Sequence, residues 1–151
     1  MLTETLIRVF KRDLNKLKEE VNAYKDEVNL WLVPEGILNS AGNLCLHLVG
    51  NLNHFIGATL GNSGYVRQRD LEFSIKNVPK SEMLQQIDDT ITVIEDTLGK
   101  LNASDLQEEY RRNPFEDFMT TEYFLVHLTT HLSYHLGQIN YHRRLLDKSS
   151  I

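Results

Sequence analysis

Leu6, Phe10, Leu14, Leu17, Val21, Tyr24, Val28 and Trp31 recur every three or four positions, with charged residues between them. That spacing puts all eight on one stripe of an α-helix and cannot line a face of a strand, so it predicts a long amphipathic helix over residues 3–31. Val33-Pro34-Glu35-Gly36 ends it, because proline blocks helix continuation and glycine relaxes the turn. A stripe of this length needs cover, and the rest of the chain has the same period. Ser40 stands as an N-cap before Leu44, His47 with Leu48, Asn51 with Leu52, and Phe55, which predicts a second helix to about residue 60, ahead of Gly61-Asn62-Ser63-Gly64. Pro79 and Ser81 open a third, striped by Leu84, Ile87, Ile91, Ile94, Leu98 and Leu101. A fourth runs from Thr120 or Thr121 to about Leu146, with Glu122 in its first turn and Arg143 and Arg144 in its last, where each charge opposes the helix dipole. Four long helices and no strand pattern predict an all-α fold, a four-helix bundle. Connections of roughly eight, twenty and eighteen residues allow crossover topology, and the whole of 1–151 reads as one domain.

A chain of 151 residues buries enough surface to fold without a disulfide or a structural metal. Its single cysteine, Cys45, cannot close an internal disulfide, and no basic-then-apolar leader pattern is seen, so the expectation is a reducing, cytoplasmic setting. The uncharged stretch over residues 36–65 holds five asparagines and two histidines, too polar for a membrane span. Formal charge sums to zero over residues 1–79, to −3 over 80–101, to −3 over 102–119 and to +1 beyond, for a total of −5. No basic stripe follows from that distribution, so nucleic acid is not an expected partner.

The six histidines lie in two segments, His47 and His54 in one, and His127, His131, His135 and His142 in the other. Residues four apart on a helix stack on one face, close enough for two imidazoles to share a metal ion, and His131 with His135 meets that condition. A third nitrogen would come from the second helix, from His47 or His54. Three imidazoles leave coordination positions open, and the scarcity of nearby carboxylates points away from calcium or magnesium and toward zinc, nickel or iron. The bland alternative is a set of half-buried histidines satisfied by their neighbours. Gln138 stands where it can orient one ligand or a bound water, in the run His131-Leu132-Ser133-Tyr134-His135-Leu136-Gly137-Gln138-Ile139. Arg67 and Arg69, in the loop after the second helix, have two readings: a clamp for an anionic group, or partners for Asp70 and Glu72. Cys45 points away from His47 around the helix and reads as core.

That C-terminal run, with Asn43-Leu44-Cys45-Leu46-His47-Leu48-Val49-Gly50-Asn51-Leu52 on the second helix, resembles the DinB-like metal-binding superfamily, which includes the YfiT-type thiol transferases. The stretch Gly64-Tyr65-Val66-Arg67-Gln68-Arg69-Asp70-Leu71-Glu72-Phe73 and the ending Gln138-Ile139-Asn140-Tyr141-His142-Arg143-Arg144 resemble an uncharacterised branch of it. The resemblance covers essentially the whole chain. It implies a four-helix bundle with crossovers, a homodimer, and a divalent metal held by His47, His131 and His135. His54, His127, Asn51, Tyr134 and Gln138 would then line the cavity or support the ligands. His142, beside Arg143 and Arg144 at the helix end, reads separately as a cation there. The implied activity is transfer of a small-molecule thiol, activated at the metal. Hydrolysis on the same three ligands is the alternative within the enzyme class, and a non-catalytic, stress-related metal- or ligand-binding bundle is the alternative outside it.

Overall fold

The computed structural model describes residues 1–148. Its helices are α1 (Leu2–Ala23), α2 (Ala41–Leu52), α3 (Arg69–Ser74), α4 (Lys80–Leu98), α5 (Ala103–Gln107) and α6 (Thr121–Leu146). A π-helical segment, Asn53–Ala58, and a last short turn, Thr59–Gly61, prolong α2. The protein is thus all-helical; among the described residues there is no strand beyond an isolated antiparallel bridge between Glu109 and Thr120. Among the described residues no helix is long and apolar enough to cross a membrane.

The stripe of α1 is buried as its period predicts, from Leu6 to Tyr24, but the helix ends at Ala23 and does not run to residue 31. Tyr24 is extended (φ −60°, ψ 123°), and a 3-10 turn, Glu27–Trp31, follows, with the Asp26 carboxylate accepting from the Val28 N–H at 3.1 Å. The reason lies across the molecule. Asp147, just past α6, accepts from the backbone N–H of Lys25 (2.7 Å) and Asp26 (3.2 Å) and from Asn29 Nδ2 (3.0 Å). In a continuous helix those two backbone donors would bond carbonyls of the preceding turn. The break turns Val28 out to solvent and drives Leu30 and Trp31 into the core.

The N-cap expected at Ser40 is present, Ser40 Oγ accepting from the Asn43 N–H at 3.1 Å, and Thr120, where the fourth helix was expected to begin, caps it through Oγ1, which accepts from the Tyr123 N–H at 3.1 Å. The π segment misaligns backbone groups, and side chains from three places take up the slack. Asn53 Nδ2 donates to Val49 O, Thr59 Oγ1 to His54 O, and Tyr110 OH to Phe55 O. The long connections, read as bare loops, each hold a short helix. α5 is closed by a reciprocal cap in which Asn102 and Asp105 bond each other's backbone N–H. α3 packs on α2.

Helix α1 lies against α4 and α6, and α2 lies against the same two. Ion pairs Lys11–Glu95 and Lys18–Asp88 join α1 to α4, and Glu20–Arg143 joins α1 to α6. Partly exposed pairs of this kind add little. Most of the stabilisation comes from the continuous apolar core, in which Phe10, Leu14, Leu17, Leu48, Leu52, Ile87 and Leu132 are fully buried.

Candidate metal centre

His131 and His135 stand one turn apart on α6, and α2 brings His47 up to them from 84 positions earlier. One nitrogen from each of the three lies within 4.8 Å of the others. His47 Nε2 and His131 Nε2 are 3.2 Å apart. Two nitrogens bound to one tetrahedral zinc at about 2.05 Å are separated by about 3.3 Å, so this pair already has the spacing of a coordination edge. The rings of His131 and His135 meet edge to face at 4.6 Å, and those of His47 and His135 at 5.3 Å.

Hydrogen bonds behind the rings set two of the three tautomers. His47 Nδ1 donates to Glu72 Oε1 at 3.0 Å, which leaves its Nε2 lone pair facing the cluster. Arg67 grips the same carboxylate with Nε and Nη2, both at 2.9 Å. His135 Nδ1 donates to Gln138 Oε1 at 2.7 Å, the orienting role expected of Gln138, and again frees Nε2. Gly50 makes the Glu72 contact possible: a Cβ there would overlap the carboxylate, so only glycine lets α3 bring Glu72 down onto α2 beside His47. Two buried polar atoms at this level have no partner among the described residues, His131 Nδ1 and Asn51 Oδ1. Opposed pairs show that α2 and α6 run antiparallel here: His47 meets His131, and Phe55 meets Phe124 at 5.1 Å. Asn51, one turn after His47, therefore sits level with the turn of α6 between His127 and His131.

Two of the three rings, His131 and His135, are pushed toward the neutral, ligating form. Burial, reinforced by His135, His47, His127 and Arg67, pushes the His131 ring down to about 3. Burial also lowers His135, against the bond to Gln138. For Glu72 burial would raise the carboxyl, yet the hydrogen bonds from His47 and Arg67 and the Arg67 charge hold it below its ordinary value. A carboxylate there stays ionised.

Of the other residues singled out from the sequence, His127 is half-buried between Phe115 (5.2 Å) and His131 (6.3 Å), beside the cluster and outside it. His54 lies in the π segment with its ring on Phe55, and it is not one of the three. Tyr134 is exposed, its ring edge-on to His135 at 5.4 Å. Of the two readings for the arginines, Arg67 takes the one that pairs it with Glu72, whereas Arg69 lies over the Phe73 ring at 5.1 Å. His142 is not a helix-end cation. It is buried, accepts at Nδ1 from Tyr24 OH (2.6 Å) and donates from Nε2 to Leu32 O (2.9 Å), and burial lowers it toward the neutral form. Cys45 is wholly buried, its thiol pushed up to about 12, and so is core. Glu72 was visible in the sequence only as a loop partner for arginine; nothing in its neighbourhood marks it as the residue that orients His47.

The family model described as "Protein of unknown function (DUF1572)" matches residues 3–150, and the chain belongs to that family. No curated protein matches it.

Proposed function

We propose that this DUF1572-family chain is a DinB/YfiT-like, metal-dependent enzyme in which His47, His131 and His135 hold a divalent transition ion, zinc, nickel or iron, and activate a small-molecule thiol. The observation that carries the reading is the convergence of three imidazole nitrogens, two of them at the spacing of a coordination edge, with Glu72 and Gln138 fixing which nitrogen faces inward. Three protein donors leave a position for an exogenous ligand. When bound, such an ion acidifies a coordinated thiol or water, making it a nucleophile at neutral pH. The chain's own part is to push His131 and His135 toward the neutral form, to hold the three rings in register and to shield them with α2, α3 and α6. The overall form that fits is a four-helix bundle with crossovers, since α1 and α2 each bridge α4 and α6. A homodimer in a reducing cytoplasm, where buried Cys45 stays a thiol, completes the proposal.

The engagement of Arg67 by Glu72 favours hydrolysis as the second reading, because that guanidinium is committed to the carboxylate and is not offered to the acidic groups of a large thiol cofactor. The test is elemental analysis of the purified protein beside His47→Ala, His131→Ala and His135→Ala, followed by assay of the metal-loaded protein with a thiol and an electrophile, and with an ester. About one equivalent of metal, lost in each variant, is expected. Retention of metal in all three would defeat the assignment, and turnover of the ester alone would select the hydrolase.

A further inference from the structure

Beside His135 the surface opens into a cleft of about 1010 Å³ that the three-histidine geometry does not by itself explain. One wall is the connection after the 3-10 turn, with Pro34, Ile37 and Leu38; the other is the last half of α6, with Tyr134, Gly137, Tyr141 and Leu145. Leu44, one turn before His47 on α2, also lines it. Leu38 is 93% exposed, and Tyr134, Tyr141 and Leu145 are each above 60%, an apolar concentration that normally marks a binding site. We propose that this cleft binds the body of an uncharged small molecule, aromatic or alkyl, whose hydrogen-bond-accepting end lies against Gln138 and His135.

The charge and donor inventory selects that class. Among the described residues no lysine or arginine lines the cleft and Glu35 is the one charged lining residue; Arg144, outside that lining, is stacked on the Tyr141 ring at 5.5 Å, and His142 is committed to Tyr24 and Leu32, so the lining itself offers a carboxylate or phosphate no counter-charge. Gln138 spends its carbonyl oxygen on His135, and its amide N–H groups have no acceptor among the described residues, so they are available to a carbonyl or ether oxygen of the ligand. The size suits a drug-sized molecule. Gly137 leaves room along the α6 wall: a Cβ there would meet nothing within 4 Å, although glycine weakens a helix interior. The cleft touches the histidine cluster through His135, so its occupant is placed as the co-substrate of the proposed reaction. That placement rests on the metal reading; the occupancy itself does not.

The probe is 6-propionyl-2-(dimethylamino)naphthalene, a neutral ketone whose emission shifts to the blue on burial, titrated into the full chain, with 2-acetylnaphthalene and 2-naphthoate as competitors. Saturable binding, displaced by the ketone and poorly by the carboxylate, is expected. Gly137→Leu fills the cleft from a helix position that favours leucine, and it weakens the probe by about tenfold or more while metal content and helical circular dichroism stay as in the parent. Leu38→Asn, at a fully exposed position, weakens it in the same sense should Gly137→Leu lose helix. His47→Ala loses metal and keeps the probe, so failure of the metal assignment is seen separately. Equal binding by Gly137→Leu and the parent, or equal competition by the carboxylate, overturns the proposal. So does a parent dimer that Gly137→Leu converts to monomer in sedimentation, since the face is then an interface between two copies.

Discussion

At the scale of single residues, the candidate centre is held in shape by side chains outside the three histidines. Glu72 holds His47 in one tautomer, Arg67 keeps Glu72 ionised, and Gly50 gives the carboxylate its room. Replacement of such supporting groups typically weakens a metal site by 10- to 100-fold. Glu72→Gln is therefore expected to bind zinc about tenfold more weakly in a chelator competition, with all three histidines in place. Gly50→Ala should do the same by displacing Glu72, although alanine is the better helix former. Asn51 and His131 each bury an unpaired polar atom at one level of the fold, and a ligating His131 Nδ1–H needs an acceptor. Asn51→Leu should lower zinc affinity while Asn51→Asp, which retains an acceptor oxygen, keeps it; equal affinity in all three proteins would remove Asn51 from the site. His131 and His135 were legible in the sequence because a spacing of four is a local fact about a helix. Glu72 was not, because its approach to His47 depends on a glycine whose need is visible only when two helices touch.

At the scale of elements, capping decides where the functional helices begin. Thr120 starts α6 eleven residues before His131, and loss of its oxygen leaves the Tyr123 N–H without its partner. Thr120→Ala should cost about 1 kcal/mol in chemical denaturation, and Thr120→Ser should restore it. The π segment of α2 is held by the Tyr110 hydroxyl on Phe55 O, both groups being buried. Tyr110→Phe should cost about 1 kcal/mol. The stripes of α1, α2 and α4 were readable because a period of 3.6 is written in consecutive residues. The end of α1 was not: its apolar period runs on past Ala23, and the groups that break it belong to Asp147.

At the scale of the whole molecule, the core is sufficient without metal, so removal of the ion should leave helical circular dichroism intact, and added zinc at about 100 times its dissociation constant should raise stability by about 2.7 kcal/mol. The joint between the ends of α1 and α6 adds a pH dependence. His142 is held neutral in the fold, below its ordinary value of 6.5, so the unfolded chain takes up its proton first. Stability from this group is complete above pH 6.5 and falls as pH drops below it. His142→Gln can still accept from Tyr24 and donate to Leu32, and in metal-free protein its stability should decline less steeply below pH 6.5 than that of the parent; an unchanged slope would show that His142 does not titrate between the two states. The sequence by itself determined the helical class, most helix starts, the apolar faces and the pair at His131 and His135, because each is settled by neighbours within a turn or two. The helical spacing alone left His47 and His54 open and the family resemblance chose His47; only the tertiary structure brought His47 to the pair, put Arg67 on Glu72 and made His142 a buried joint. Those outcomes turn on burial and on which helices meet, interactions between residues far apart in the chain whose energies local pattern does not contain.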